Sequence, residues 1–254
     1  MAALATVVAS VAQAQITPSG TFQALPGDVT FSGTGIPGPV MGTTLANGVR
    51  LYLGASQRFG NPALGNNGNG TYYASIGGDV LNGQPLLARW NFNFFIGGDA
   101  NTNPLDGFGD YDYRLFYDFL PAAGNSQASH GTSSIISSPV GCAPVPAQGL
   151  TCTPTTIQNS WNLGFGFLNT TNAFLGINAP GGTFDPTAAG EFTFRLVAYN
   201  KFNGFTPLTP FTSEAGSVAI AVSTVPEPST YALMAAGLAA LGMAARRRRT
   251  STTA

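Results

Sequence analysis

The sequence predicts an all-β fold: a single antiparallel β-sandwich, jelly-roll-like, placed between a cleavable N-terminal signal segment and one C-terminal transmembrane helix. Three observations carry this. Apolar residues recur with period two in several short segments, the pattern of strands that bury one face. The 33 Gly and 18 Pro punctuate the chain at close intervals, as turns do. No helical period appears before Tyr231, near the end of the 254 residues.

The elements follow in order. Residues 1–14 read as a signal peptide, with an apolar run from Leu4 to Ala12 and Ala12-Gln13-Ala14 as the cleavage site, so the mature chain starts near Gln15. Residues 15–224 form the extracytoplasmic sandwich, 225–249 a distinct C-terminal unit and 250–254 a short tail. Four strands are predicted most clearly: Arg89 to Ile96, Tyr111 to Phe119, Trp161 to Leu168 and Glu191 to Tyr199. In the first, Trp90, Phe92, Phe94 and Ile96 share a face opposite Arg89, Asn91 and Asn93. Shorter strands are expected at Asp28 to Phe31, Val49 to Gly54, Thr71 to Ile76 and Gly216 to Val222, each bounded by Gly, Pro or Asn. Gly60 to Gly70 reads as a loop, and Ala122 to Thr156 as a long surface excursion.

Charge excludes one class of partner. Only 8% of residues are charged, and four of the ten basic residues stand together at Arg246, Arg247, Arg248 and Arg249. The rest of the chain is mildly acidic, so no basic surface is available to follow a phosphate backbone, and nucleic acid is not an expected partner.

Candidate chemistry in the body is sparse. Cys142 and Cys152 are the only cysteines, and an even count in an exported chain predicts a disulfide. Closing so small a loop stabilises by roughly 2 to 3 kcal/mol in the chain-entropy model. Two free thiols are the other reading. Asp99, Asn101, Asn103, Asp106 and Asp110 offer hard oxygen ligands at spacings that partly match a calcium loop, although Pro104 stands where the sharp turn needs Gly. Calcium is therefore a candidate cofactor, and the same residue types are also ordinary turn formers between two strands. His130, the sole histidine, lies in the polar run SQASHGTSS and is expected in a solvated loop, without a nucleophile elbow nearby. Trp90 and Trp161 alternate with Phe and Leu and are expected in the core. No catalytic constellation emerges, and the body is expected not to be an enzyme.

The C-terminal unit is more specific. Val225, Pro226, Glu227, Pro228 and Ser229 combine an extended Pro-Glu-Pro with a helix N-cap. Tyr231 to Ala245 carries no charge, and as a helix it measures roughly 22 Å, short of a ~30 Å hydrocarbon core. The four arginines that follow resist translocation. Rigid motif, apolar helix and basic stop in this order resemble the PEP-CTERM sorting-signal family. The resemblance implies export across a Gram-negative envelope, transient residence in the inner membrane, and recognition of the motif around Glu227 by an exosortase, a membrane transpeptidase. It further implies a surface or biofilm-matrix destination, in contact with exopolysaccharide. The stretches Gln158 to Phe165 and Phe184 to Leu196 are similar to the bodies of other proteins with this signal. A structural or adhesive role is the expected function, and a carbohydrate-binding or carbohydrate-cleaving module is the alternative.

Overall fold

Alternation is realised as strands in the computed structural model, which describes residues 15–31, 33, 35, 37–59, 63–80, 83–98, 111–122, 126–135, 151–153, 156–200 and 213–225. In the tail it describes 233–234, 236–239, 241 and 243. The first strands are β1 (Thr21–Gln23), β2 (Val40–Thr44), β3 (Arg50–Gln57), β4 (Gly65–Asn66) and β5 (Thr71–Ser75). They are followed by β6 (Gly78–Asp79), β7 (Gln84–Ala88), β8 (Trp90–Gly97), β9 (Tyr111–Tyr117) and β10 (Gly131–Ile135). The chain continues with β11 (Thr151–Thr153), β12 (Thr156–Trp161), β13 (Ile177–Asn178), β14 (Gly190–Asn200) and β15 (Glu214–Val225).

Two large sheets result. One has the order β1-β2-β3-β8-β12-β11, the other β13-β10-β9-β14-β15-β5-β4, and β6 and β7 form a separate hairpin. The sheets face one another across an aromatic layer that follows from the period-two faces. Phe92 of β8 stacks on Phe194 of β14 with ring centroids 4.5 Å apart, and Trp90 meets Phe192 at 5.7 Å. Trp161 closes the layer edge-on to Phe94 at 4.8 Å. Both tryptophans are buried, as their alternation predicts. Each such ring removed from water stabilises by roughly 1.5 to 3 kcal/mol. Aromatic edge-to-face geometry adds about 0.5 to 1.5 kcal/mol per pair.

Several expectations are corrected. Trp161 ends a strand where it was expected to begin one: β12 pairs Trp161 with Phe92, and the chain then turns, with the Phe165 N–H bonding the Asn162 carbonyl. The reason is Asn162, which is fully buried. Its amide nitrogen donates to the carbonyls of Ala88 and Trp90, and its oxygen accepts from the Ala88 and Gly164 N–H groups. Residues Gly166–Asn169 then form a 3-10 turn that tucks Leu168 into the core. Asp28 to Phe31 is not a strand either, because Val29 closes a turn onto Pro26 and Asp28 pairs with Arg50. The sheets are not wholly antiparallel: β15 runs parallel to β5, a departure from the jelly-roll pattern. β1, β2, β4, β6, β7 and β10 to β13 were not anticipated; β4 falls where a loop was expected, and β10 and β11 where a surface excursion was.

No helix among the described residues is long and apolar enough to cross a membrane, so the expected transmembrane helix is not seen as a span. Leu233, Met234, Ala236 to Ala239, Leu241 and Met243 are helical. The signal segment 1–14, the calcium candidates Asp99 to Asp110, and Cys142 lie outside the described residues. So do Pro226 to Ser229 and Arg246 to Arg249. The backbone of Cys152 lies in β11, opposite Ile157.

Candidate sorting site at the end of the sandwich

The last strand before the Pro-Glu-Pro motif is part of the core. β15 is held on one side by β14, in a register running from Gly190↔Thr224 to Tyr199↔Glu214. On the other side β5 pairs Ala221 with Thr71 through to Val225 with Ser75. Val218, Ile220 and Val222 are fully buried, as expected of β-branched residues on the inner face of a central strand.

Its C-terminal end is fastened until the final residue. Thr224 is 2% exposed, and its hydroxyl lies 3.0 Å from the Ala188 carbonyl and 3.1 Å from that of Gly190, while accepting from the Gly190 N–H. Gly190 has φ of +145°, and a Cβ there would stand 2.0 Å from the Pro121 carbonyl oxygen, so no side chain fits. The Val225 carbonyl still accepts from the Ile76 N–H at 3.2 Å. The next residue, Pro226, has no N–H with which to extend the ladder. Val225, the first residue of the predicted motif, is thus the last residue of the sheet, and the motif follows without a spacer.

The surrounding end of the sandwich is built from strand termini: the C-terminal ends of β3, β5, β9 and β12 and the N-terminal ends of β8 and β14. The β6–β7 hairpin closes it, with Gly78 paired to Ala88, and the Gly77 N–H bonds the Pro186 carbonyl at 2.7 Å. Arg58 Nε donates to Asp79 at 3.0 Å, both side chains being only 8% exposed, and the guanidinium lies 4.7 Å from the Phe59 ring centroid.

His130 is corrected from a solvated loop residue to a buried one. It is 5% exposed, with Nδ1 3.0 Å from the Ser126 carbonyl and Nε2 2.8 Å from the Thr193 hydroxyl. Burial pulls its pKa below the usual imidazole range, against the opposing effect of these hydrogen bonds. Asp118 joins the group by accepting from the Thr193 N–H at 3.1 Å and standing 3.2 Å from its hydroxyl. The group ties β9, β10 and β14 together. No motif announces it, because Thr193 is 63 residues from His130 and 75 from Asp118.

Two further described acids are engaged by arginines, while Asp185 accepts from the Thr187 N–H and hydroxyl. Asp28 meets Arg50 at 2.6 Å, and Glu214 meets Arg195 at 2.6 Å. Among the described residues there is no cluster of three or more His, Cys, Asp or Glu side chains able to hold a metal ion. The calcium candidates are not among those residues.

No curated protein and no solved structure matches this chain. Signals of the PEP-CTERM kind are recognised by exosortase and mark proteins of Gram-negative bacteria for the cell surface or the extracellular space. Residues 224–249 match the model of the PEP-CTERM protein-sorting motif, so the chain carries this sorting signal at its C-terminus, its first two residues shared with the last strand of the sandwich.

Proposed function

We propose that the protein is exported, halted in the inner membrane by its apolar tail and four arginines, and released there by an exosortase that reads the motif around Glu227. The delivered β-sandwich then serves as a structural or adhesive component of the cell surface or biofilm matrix, with no catalysis of its own. The observation that carries this reading is the order of parts: a buried terminal strand, a spacer-free Pro-Glu-Pro, an exposed apolar helix and a basic stop. The engagement of Asp28, Asp79 and Glu214 with arginines supports a framework role, since each of these carboxylates is taken up in tying together segments about twenty residues apart in sequence. Cell fractionation tests the reading. The parent is expected at the surface or in the medium, and Glu227→Ala is expected to remain with the inner membrane. Equal surface display of the two would refute recognition through Glu227.

One feature favours carbohydrate binding as a second reading. Tyr73, 46% exposed, lines a cleft of about 220 Å³ together with Gln57 and Arg89, and an exposed aromatic ring is the kind of group on which sugars stack. Retention on polysaccharide affinity gels, lost in Tyr73→Ala, is the expected result on this reading. Parent protein that passes through unretarded counts against it.

A further inference from the structure

The large apolar side chains that the folded body leaves exposed are gathered at one end. Among the described residues of the body they are Phe59, Tyr73, Val80, Leu86, Leu120 and Val225. Phe59 follows the end of β3, Val80 and Leu86 belong to the β6–β7 hairpin, Leu120 follows β9, and Val225 ends β15. All four of these elements terminate or close at the end from which the tail departs. Leu86 is 76% exposed and Val80 65%. Grouped apolar exposure of this kind marks an interaction surface.

The chain itself indicates the occupant. Five residues, Pro226 to Thr230, separate the sheet from the uncharged stretch that begins at Tyr231. Fully extended they reach about 18 Å at most. With the tail inserted, this end of the sandwich is confined to within about two to four thicknesses of a lipid headgroup layer, itself about 5 to 8 Å deep. The charges at this end do not call for an anionic partner. Arg58 is neutralised by Asp79, Arg89 Nε faces the Gly78 carbonyl, and Asp185 and Glu191 are acidic.

We propose that this end of the sandwich is a membrane-docking surface: Phe59, Val80, Leu86 and Leu120 rest in the interfacial region of the outer leaflet while the tail is inserted. Docking would hold the Pro-Glu-Pro segment at a fixed height for the transpeptidase. The inference rests on the tail being inserted as proposed above.

Photo-crosslinking of the full chain in phosphatidylcholine vesicles tests it. Benzoylphenylalanine is placed singly at Leu86, at Leu238 in the tail, and at Ala46, an exposed residue in the β2–β3 turn at the opposite end. Lipid adducts are expected at Leu238 and Leu86, with those at Leu86 at least five-fold above Ala46. Adducts at Leu238 with none above the Ala46 level at Leu86 would overturn docking and leave tail insertion standing. Absence of adducts at Leu238 would overturn both. Adducts of Leu86 with a second copy of the chain, without lipid, would also overturn it, by identifying the occupant as protein. A Val80→Asp/Leu86→Asp chain, altered only on the exposed hairpin, is expected to keep its melting temperature but lose protection of residues 78–88 from hydrogen exchange on vesicles. Unchanged protection would contradict the proposal.

Discussion

β15 and the helical stretch that follows it are both apolar and rich in small residues, yet they meet opposite fates. EAGSVAIAVSTV, Glu214 to Val225, lies between two strands with Val218, Ile220 and Val222 fully buried. In the tail, Leu233, Leu238 and Leu241 are 74%, 64% and 68% exposed. The difference is in side-chain shape. β15 carries β-branched residues in alternation, whereas Tyr231 to Ala245 has no Val, Ile or Thr and consists largely of Ala, Leu, Met and Gly. One segment is built for the core of the sandwich and the other stays outside it, and Pro226 and Pro228 stand between them.

This contrast is sharpest where packing is densest. Phe194→Ala removes the ring stacked on Phe92 and packed against Trp90, and is expected to cost about 3 to 5 kcal/mol, read as a lowered denaturation midpoint. Leu238→Ala is expected to leave that midpoint unchanged. Comparable losses from the two would break the distinction between body and tail.

Polar fasteners come next in size. Thr193→Val leaves Asp118 and His130 short of a buried partner, and chemical denaturation is expected to show a loss of about 1 to 3 kcal/mol. Thr224→Val, at the junction itself, removes the bonds to Ala188 and Gly190 and is expected to cost about 1 kcal/mol. Hydrogen exchange should then rise first at the C-terminal end of β15. A rise spread evenly along the strand would indicate that Thr224 does not secure the junction.

The smallest effect is electrostatic. The Arg50 guanidinium beside Asp28 holds that carboxyl below its ordinary value of 3.8. The stability from this pair is therefore present above pH 3.8 and is lost as pH falls through the lower folded value. With the Asp28 side chain 41% exposed, solvent screening keeps it under about 1 kcal/mol. In Asp28→Asn this part of the acid destabilisation is expected to vanish, and an unchanged acid limb would show that the pair contributes nothing.

Legibility in the sequence varied with how local the cause was. β8 and β14 were readable because every second residue through their centres is apolar, and the tail was readable because its three parts are contiguous. Trp161 to Leu168 misled because its alternation serves a turn as well as a strand. Asn162, which decides between them, acts through the backbone of residues 88 and 90, more than 70 positions away. β12 was obscured by Gln158, Asn159 and Ser160, polar residues in a strand that pairs closely with β8. His130 lay in a polar run and gave no sign that Asp118 and Thr193 would enclose it. The spacer-free junction was half legible: Val225-Pro226 marked a boundary, but that Val225 still belongs to the sheet depends on its pairing with Ser75, set by the fold.

The central claim is that the chain ends in a removable sorting device joined directly to a folded body. Intact-mass measurement of the protein recovered from the cell surface tests it most directly. The account predicts a species that keeps β15 through Val225 and lacks the apolar stretch and Arg246 to Arg249. A surface species whose mass includes the four arginines, or one cut within β15, would contradict it.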